Sequence, residues 1–245
     1  MRFIRIVFSC TALIVPALAI AASAEKKVGA AVTAQKEVSK APAAEIANDP
    51  AAVALLQQIE SQHGGVRSVV GSFTQQRIDS SFGADKKDST ARFALLKPNN
   101  FKVEYLSPKQ SMNLINGQTS YYYVPDQKQV QKYTFKKRAT VRDLNYLLLG
   151  FGAPTQELLA VYTVQRGDAK NSIKLIPRNT RDAQFKYILM ELTDSLLPKR
   201  FSMEQTEGSK LFVNIDTAGL QIGAPLSPRD FQPNWPSGTN EVDMQ

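Results

Sequence analysis

The chain has 245 residues, 43% of them hydrophobic and 21% charged, with 30 Lys and Arg against 22 Asp and Glu for a formal net charge of +8. It contains one histidine and one cysteine, too few for a zinc site built from those residues, and any Ser-His or Cys-His nucleophile has a single histidine to draw on. The moderate positive excess suits an anionic partner or a membrane surface, and ordinary solubility accounts for it equally well.

Arg2 and Arg5 precede an apolar run from Ile6 to Ile20, and Ala22-Ser23-Ala24 supplies a small-residue cleavage pattern. This reads as a secretory signal peptide over 1–24, cleaved after about Ala24. The run is too short and too early for a membrane anchor. Cys10 lies inside the run and not at the cleavage site, which argues against a lipoprotein signal. The mature chain then has no cysteine and a net charge of +6, and without disulfides its stability must come from a packed core. Residues 25–48, "EKKVGAAVTAQKEVSKAPAAEIAN", hold no aromatic and bury too little to order themselves, so they read as a disordered arm or tether with partial helix open to them.

One domain is expected over 49–240. Asp49 can cap a helix with Pro50 at its first position, and Ala52, Leu55, Leu56 and Ile59 recur at helical spacing until Gly64-Gly65. Gln57, Gln58, Glu60 and Gln62 face away from that stripe. The period then switches. "VVGSFTQQRI" (69–78), "TARFALLK" (90–97), "FKVEYL" (101–106), "SMNLI" (111–115), "SYYYV" and "QVQKYTF" read as strands joined by short turns, Asn116-Gly117 among them. In "SYYYV" Tyr121 and Tyr123 share one face and Tyr122 takes the other, and parity does not say which is inner.

The series breaks at "TVRDLNYLLLGFGAPTQELL", where Thr140 can cap a short helix with Val141, Leu144, Leu147, Leu148 and Phe151 on one face. Gly150 and Gly152 flank Phe151 as a hinge, and "QELL" can add another turn. Strands resume at "VYTVQR", "SIKLIP", "FKYILMEL", "PKRFSME" and "SKLFVNI", and the tail "LSPRDFQPNWPSG" is too rich in proline for an inner strand. The sum is a mainly β domain, an antiparallel sheet of ten or eleven strands large enough to curl, with an N-terminal helix and a helical insert over its concavity.

Chemistry is sparse. His63 falls at the end of the first helix, where an exposed or half-buried histidine is expected. Asp79, Asp85 and Asp88 cluster in a solvated turn, Glu104 lies on the polar face of its strand, and no phosphate-binding glycine loop occurs. No enzymatic activity, metal or cofactor is expected. Lys132, Lys136, Lys137, Arg138 and Arg142 form a basic stretch that is either a solvated loop or a docking surface beside a hydrophobic entrance. Tyr133 and Phe135 interleave with it, but nucleic acid is an unsuitable partner for an exported chain of modest charge. The surplus of large apolar residues is either ordinary core plugged by the helices or the lining of a cavity with the insert as lid.

Taken in order, the N-terminal helix followed by "GSFTQQ", then "LLKPNNFKVEY", "NGQTSYYYVPD", the apolar "LLLG" and the closing "F…P…G" tail resemble the LolA family of periplasmic outer-membrane lipoprotein carriers, from about residue 51 to 240. The resemblance implies an unclosed half-barrel with a helical lid, holding lipoprotein acyl chains in a hydrophobic cavity. It implies a periplasmic, monomeric carrier that receives cargo from an inner-membrane ABC transporter and delivers it to an outer-membrane lipoprotein acceptor. The expected cavity residues are Phe93, Leu95, Phe101, Val103, Tyr105, Met112, Leu114, Leu144, Leu147, Leu148 and Phe151. Phe101, Lys136, Lys137 and Arg138 are expected at the docking surface. The family has Arg before the Pro as a lid latch; here that position is Lys97, which keeps the charge without the planar fork. A lipid-sensing regulator of the anti-sigma-factor type, or a carrier of other lipids, shares the implied fold.

Overall fold

The computed structural model describes residues 47–79, 85–134, 149–180 and 183–244. The expected signal peptide, most of the arm, and the insert helix with Leu144, Leu147 and Leu148 lie outside them.

Helix α1 spans Pro50–His63. Asp49 accepts the Ala51 amide at 2.8 Å, and Pro50 occupies the first helical position, where its missing N–H is harmless. Ala52, Leu55, Leu56, Ile59 and His63 are its buried stripe. Asn48, assigned by composition to the arm, already belongs to the fold: its side-chain oxygen accepts the Val164 amide at 3.0 Å.

The strands are β1 (Ser68–Asp79), β2 (Asp85–Leu96), β3 (Asn100–Ser107), β4 (Ser111–Asn116), β5 (Thr119–Val124), β6 (Gln129–Thr134), β7 (Tyr162–Arg166), β8 (Ser172–Pro177), β9 (Phe185–Leu192), β10 (Pro198–Gln205), β11 (Lys210–Ile215), β12 (Gln221–Ile222) and β13 (Asn240–Met244). Helix α2 spans Thr155–Val161. They form one sheet in the order β13-β6-β5-β4-β3-β2-β1-β11-β10-β9-β8-β7, with β12 beside β1. Strands β6 and β7 are consecutive among the described strands yet stand near opposite edges, so the chain crosses from one side of the sheet to the other between them. That crossing carries the glycine-flanked phenylalanine and α2.

Two strands exceed the expectation. β12 is two residues long, and β13, "NEVDM", pairs in parallel with β6 in a sheet otherwise antiparallel among the described residues. Its sequence lacks an apolar alternation; the backbone ladder to β6 attaches it, and Lys132 adds ion pairs to Glu241 at 3.2 Å and Asp243 at 3.4 Å. β2 also starts earlier than its apolar residues, because it pairs with β1 along its whole length, through the polar Asp85–Ser89.

Register fixes the faces, since directly opposed residues share one. Val69, Phe73, Ala91, Phe93, Leu95, Phe101 and Val103 lie on the face that continues through Val213, Phe201, Met190, Ile173 and Val164. With α1, Leu149, Phe151 and Leu158 this face forms the main core. A second cluster of Leu96, Leu114 and Phe231, flanked by Met112, Tyr121, Leu226 and Trp235, packs on the opposite face beneath the C-terminal segment.

Candidate functional site

The inner face behind α1 and the 149–158 segment carries the expected cavity residues of β2 and β3. Phe93, Leu95, Phe101 and Val103 are each exposed by 2% or less. Tyr105 is partly buried beside them, edge-on to Phe73 at 6.1 Å, and its hydroxyl donates to Gln75 Oε1 at 3.2 Å. Phe151 meets Phe93 with ring centroids 6.1 Å apart. Leu149, Phe151, Ala153 and Leu158 therefore plug the concave face. The apolar surface of this face is packed beneath that segment.

Met112 and Leu114 correct the expectation that they line this cavity. They stand opposite Glu104 and Lys102 of β3, and opposite Tyr123 and Tyr121 of β5, which puts them on the other face. Trp235 covers this face, its ring 5.0 Å from Tyr123 and 5.9 Å from Tyr121. Tyr122, opposite Asn113, is the tyrosine of the concave side. The apolar character of "SMNLI" did not reveal its face because β4 buries Leu114 and Ile115 on opposite sides. Phe101 is also corrected as a docking residue: at 1% exposure it has no surface to offer a partner in this form. Lys136, Lys137 and Arg138 lie outside the described residues.

Lys97 sits where the resemblance puts a latch. Its ammonium donates to the carbonyl oxygens of Gly152 at 3.4 Å and Gly64 at 3.5 Å, and burial lowers its pKa below the usual lysine value. Gly152 has φ +74, and a Cβ there would stand 2.4 Å from the His63 carbonyl carbon, so plug and helix meet backbone to backbone at a position only glycine fills without strain. His63 is buried, not exposed, and Nε2 lies 3.0 Å from the Ser195 carbonyl oxygen, tying α1 to the β9–β10 turn. Its position at a helix end leads one to expect an exposed or half-buried ring; the turn Thr193–Leu197 meets it instead.

The helix pattern turns Glu60 toward water, and the structure corrects this too. Its Oε2 accepts the Thr155 amide at 3.0 Å, and hydrogen bonding from Thr155 lowers its carboxyl below the ordinary glutamate value. No signal in the helix pattern points to this contact, since the partner arrives from 95 positions away. Among the described residues no group of three or more His, Cys, Asp or Glu is placed to hold a metal ion, and no helix is long and apolar enough to cross a membrane.

The curated relatives carry one family description. The chain is 27% identical over 200 residues to an outer-membrane lipoprotein carrier protein of Cupriavidus taiwanensis, covering 78% of this chain and 89% of that protein. It is 28% identical over 211 residues to an outer-membrane lipoprotein carrier protein of Bordetella pertussis, covering 82% and 92%. Among solved structures, an uncharacterized conserved protein of Thermus thermophilus aligns with a TM-score of 0.48 at 12% identity, over 79% of this chain and 99% of that one. Residues 64–234 match the family model described as "Outer membrane lipoprotein carrier protein LolA", and the chain belongs to that family.

Proposed function

We propose that this protein is a periplasmic carrier that takes lipoprotein acyl chains onto its concave face. In this reading it receives them from an inner-membrane lipoprotein-releasing ABC transporter and passes them to an outer-membrane acceptor. The observation that carries the proposal is the plug. Phe93, Leu95, Phe101 and Val103 are covered on one side by a segment that belongs to the crossing between sheet edges, and that segment is itself apolar. An acyl chain has the same chemistry as Leu149, Phe151 and Leu158, and can take their place. Leaving it in water costs about 0.8 kcal/mol per CH₂, so transport across an aqueous compartment needs a shield. The plug competes for the same face, and the net affinity is the difference between two apolar burials. A carrier that must release its cargo is served by that subtraction.

On this reading Tyr105 and the lid residues Leu144, Leu147, Leu148 and Phe151 join the lining, and Lys136, Lys137 and Arg138 meet the partners. Native mass spectrometry of the protein taken from the periplasm tests the proposal. A bound triacylated lipoprotein is the expected species. A lipid-free complex with a membrane signalling protein in its place would favour the regulator instead.

A further inference from the structure

Among the described residues the plug has two polar anchors of unequal quality. Lys97 reaches Gly152 and Gly64 at 3.4 and 3.5 Å, near the outer limit of a hydrogen bond. Glu60 reaches the Thr155 amide at 3.0 Å, inside the ordinary range. Thr155 is 2% exposed, so its amide has little water to turn to when the carboxylate is removed. As the first residue of α2, it also has no acceptor within its own helix. A carboxylate acceptor makes this the stronger kind of hydrogen bond.

We infer that Glu60 is the positioning residue that holds the 149–158 plug on the concave face and so governs access to it. The latch expected of the residue before Pro98 is thereby divided, with the better-formed part moved onto α1. The inference rests on the carrier reading for its meaning, but the holding of the plug stands or falls separately.

Of the titratable groups on the elements packed here, His63 follows Glu60 on α1, Lys97 reaches the end of that helix at Gly64, and Glu157 is exposed in the first turn of α2. Because the carboxyl pKa is lowered in the fold, the contact is fully present above the ordinary glutamate value and is lost as pH falls through the lowered one.

Amide hydrogen exchange on the full mature chain tests the inference, with a fluorescent fatty acid as the probe of access. Glu60→Ala is expected to speed exchange over 149–158 by about tenfold relative to wild type, with β1, β2 and β9 unchanged. Glu60→Gln keeps an acceptor, so it falls between the two and loses the acid dependence that wild type shows. Wild-type rates over 149–158 in a folded Glu60→Ala protein overturn the inference. Should Glu60→Ala fail to fold, Glu60→Gln and the wild-type pH series decide, and a flat wild-type series refutes it. If the plug loosens as expected but neither the fatty acid nor a triacylated peptide binds any form, the role of Glu60 stands and the carrier reading falls.

Discussion

Gly152 lies against His63 so closely that a methyl group on its α-carbon would stand 2.5 Å from the His63 carbonyl oxygen and from the Gly64 nitrogen. The contact is between main chains, so no side-chain rotation relieves it. Gly152→Ala combines this clash with the strain of φ +74, together worth about 1–3 kcal/mol. The plug can escape both by leaving its seat, whereas the sheet beneath cannot. The expected outcome is faster amide exchange over 149–158 and tighter binding of an acyl probe, with the far-ultraviolet circular dichroism of the sheet retained.

The two faces of the sheet give an internal control. Phe93 lies beneath Phe151, and Leu114 lies on the opposite face with Phe231. Truncation to Ala should cost about 3–5 kcal/mol at Phe93 and about 2–5 kcal/mol at Leu114. The two losses should then part company in function. Under conditions where both variants remain folded, Phe93→Ala is expected to change acyl-probe affinity and Leu114→Ala to leave it at the wild-type value. Equal effects on binding would mean that cargo does not use the concave face.

Lys97→Arg installs the planar fork that the family resemblance implies at this position. The ammonium now spans two carbonyl oxygens at the limit of its reach, and a planar guanidinium presents several donors at once. Closure should tighten, seen as slower exchange at Gly152 and a slower on-rate for the probe. Burial lowers the lysine pKa, so in the wild type the unfolded state binds more protons between the folded value and the ordinary 10.5. Stability attributable to Lys97 therefore rises with pH in that alkaline window. The rise should be absent from the arginine variant, and urea unfolding across that range checks it.

Much of this fold is legible in the sequence because its strands alternate sharply. Phe101, Val103 and Tyr105 against Lys102 and Glu104 state which face is buried, and the same parity runs back through Leu95 to Phe93 and Lys97. Helix α1 is equally plain, with Asp49, Pro50 and a four-residue apolar stripe marking its start and its face. Legibility fails wherever both sides of an element are covered. Met112 and Leu114 look like lining until Trp235 and Phe231 are seen to roof the opposite face. β13 escapes because it joins by a parallel backbone ladder with exposed ion pairs beside it, an arrangement that leaves no apolar period in the sequence. The contacts of Glu60 and His63 escape for a related reason: a polar side chain that satisfies one distant backbone group looks the same in sequence as one facing water.

The last prediction concerns the strand that ends the sheet. β7 pairs with β8 on one side, and on the other its amides meet the residues just before α1. Val164 donates to Asn48 Oδ1 at 3.0 Å and Arg166 to Asp49 Oδ2 at 3.3 Å, and Asp49 returns its own amide to the Val164 carbonyl at 2.9 Å. Asp49 thus caps a helix with one oxygen and a sheet edge with the other. An exposed edge invites pairing with another chain, so this junction protects the molecule as well as fixing where α1 starts. The Ala51 amide, with the Arg166 amide behind it, lowers the Asp49 carboxyl below its ordinary value of 3.8. Its contribution is present above that value and fades as pH falls through the lowered one. Asp49→Asn preserves one oxygen and Asp49→Ala none. At neutral pH the urea midpoint should fall from wild type through Asn to Ala, with amide exchange at Val164 and Arg166 rising in the same order. Light scattering should detect self-association first in the alanine variant, since only there are both acceptors of Asp49 lost. If Asp49→Ala exchanges at Arg166 like the wild type, the aspartate caps the helix alone and the edge is protected by Asn48.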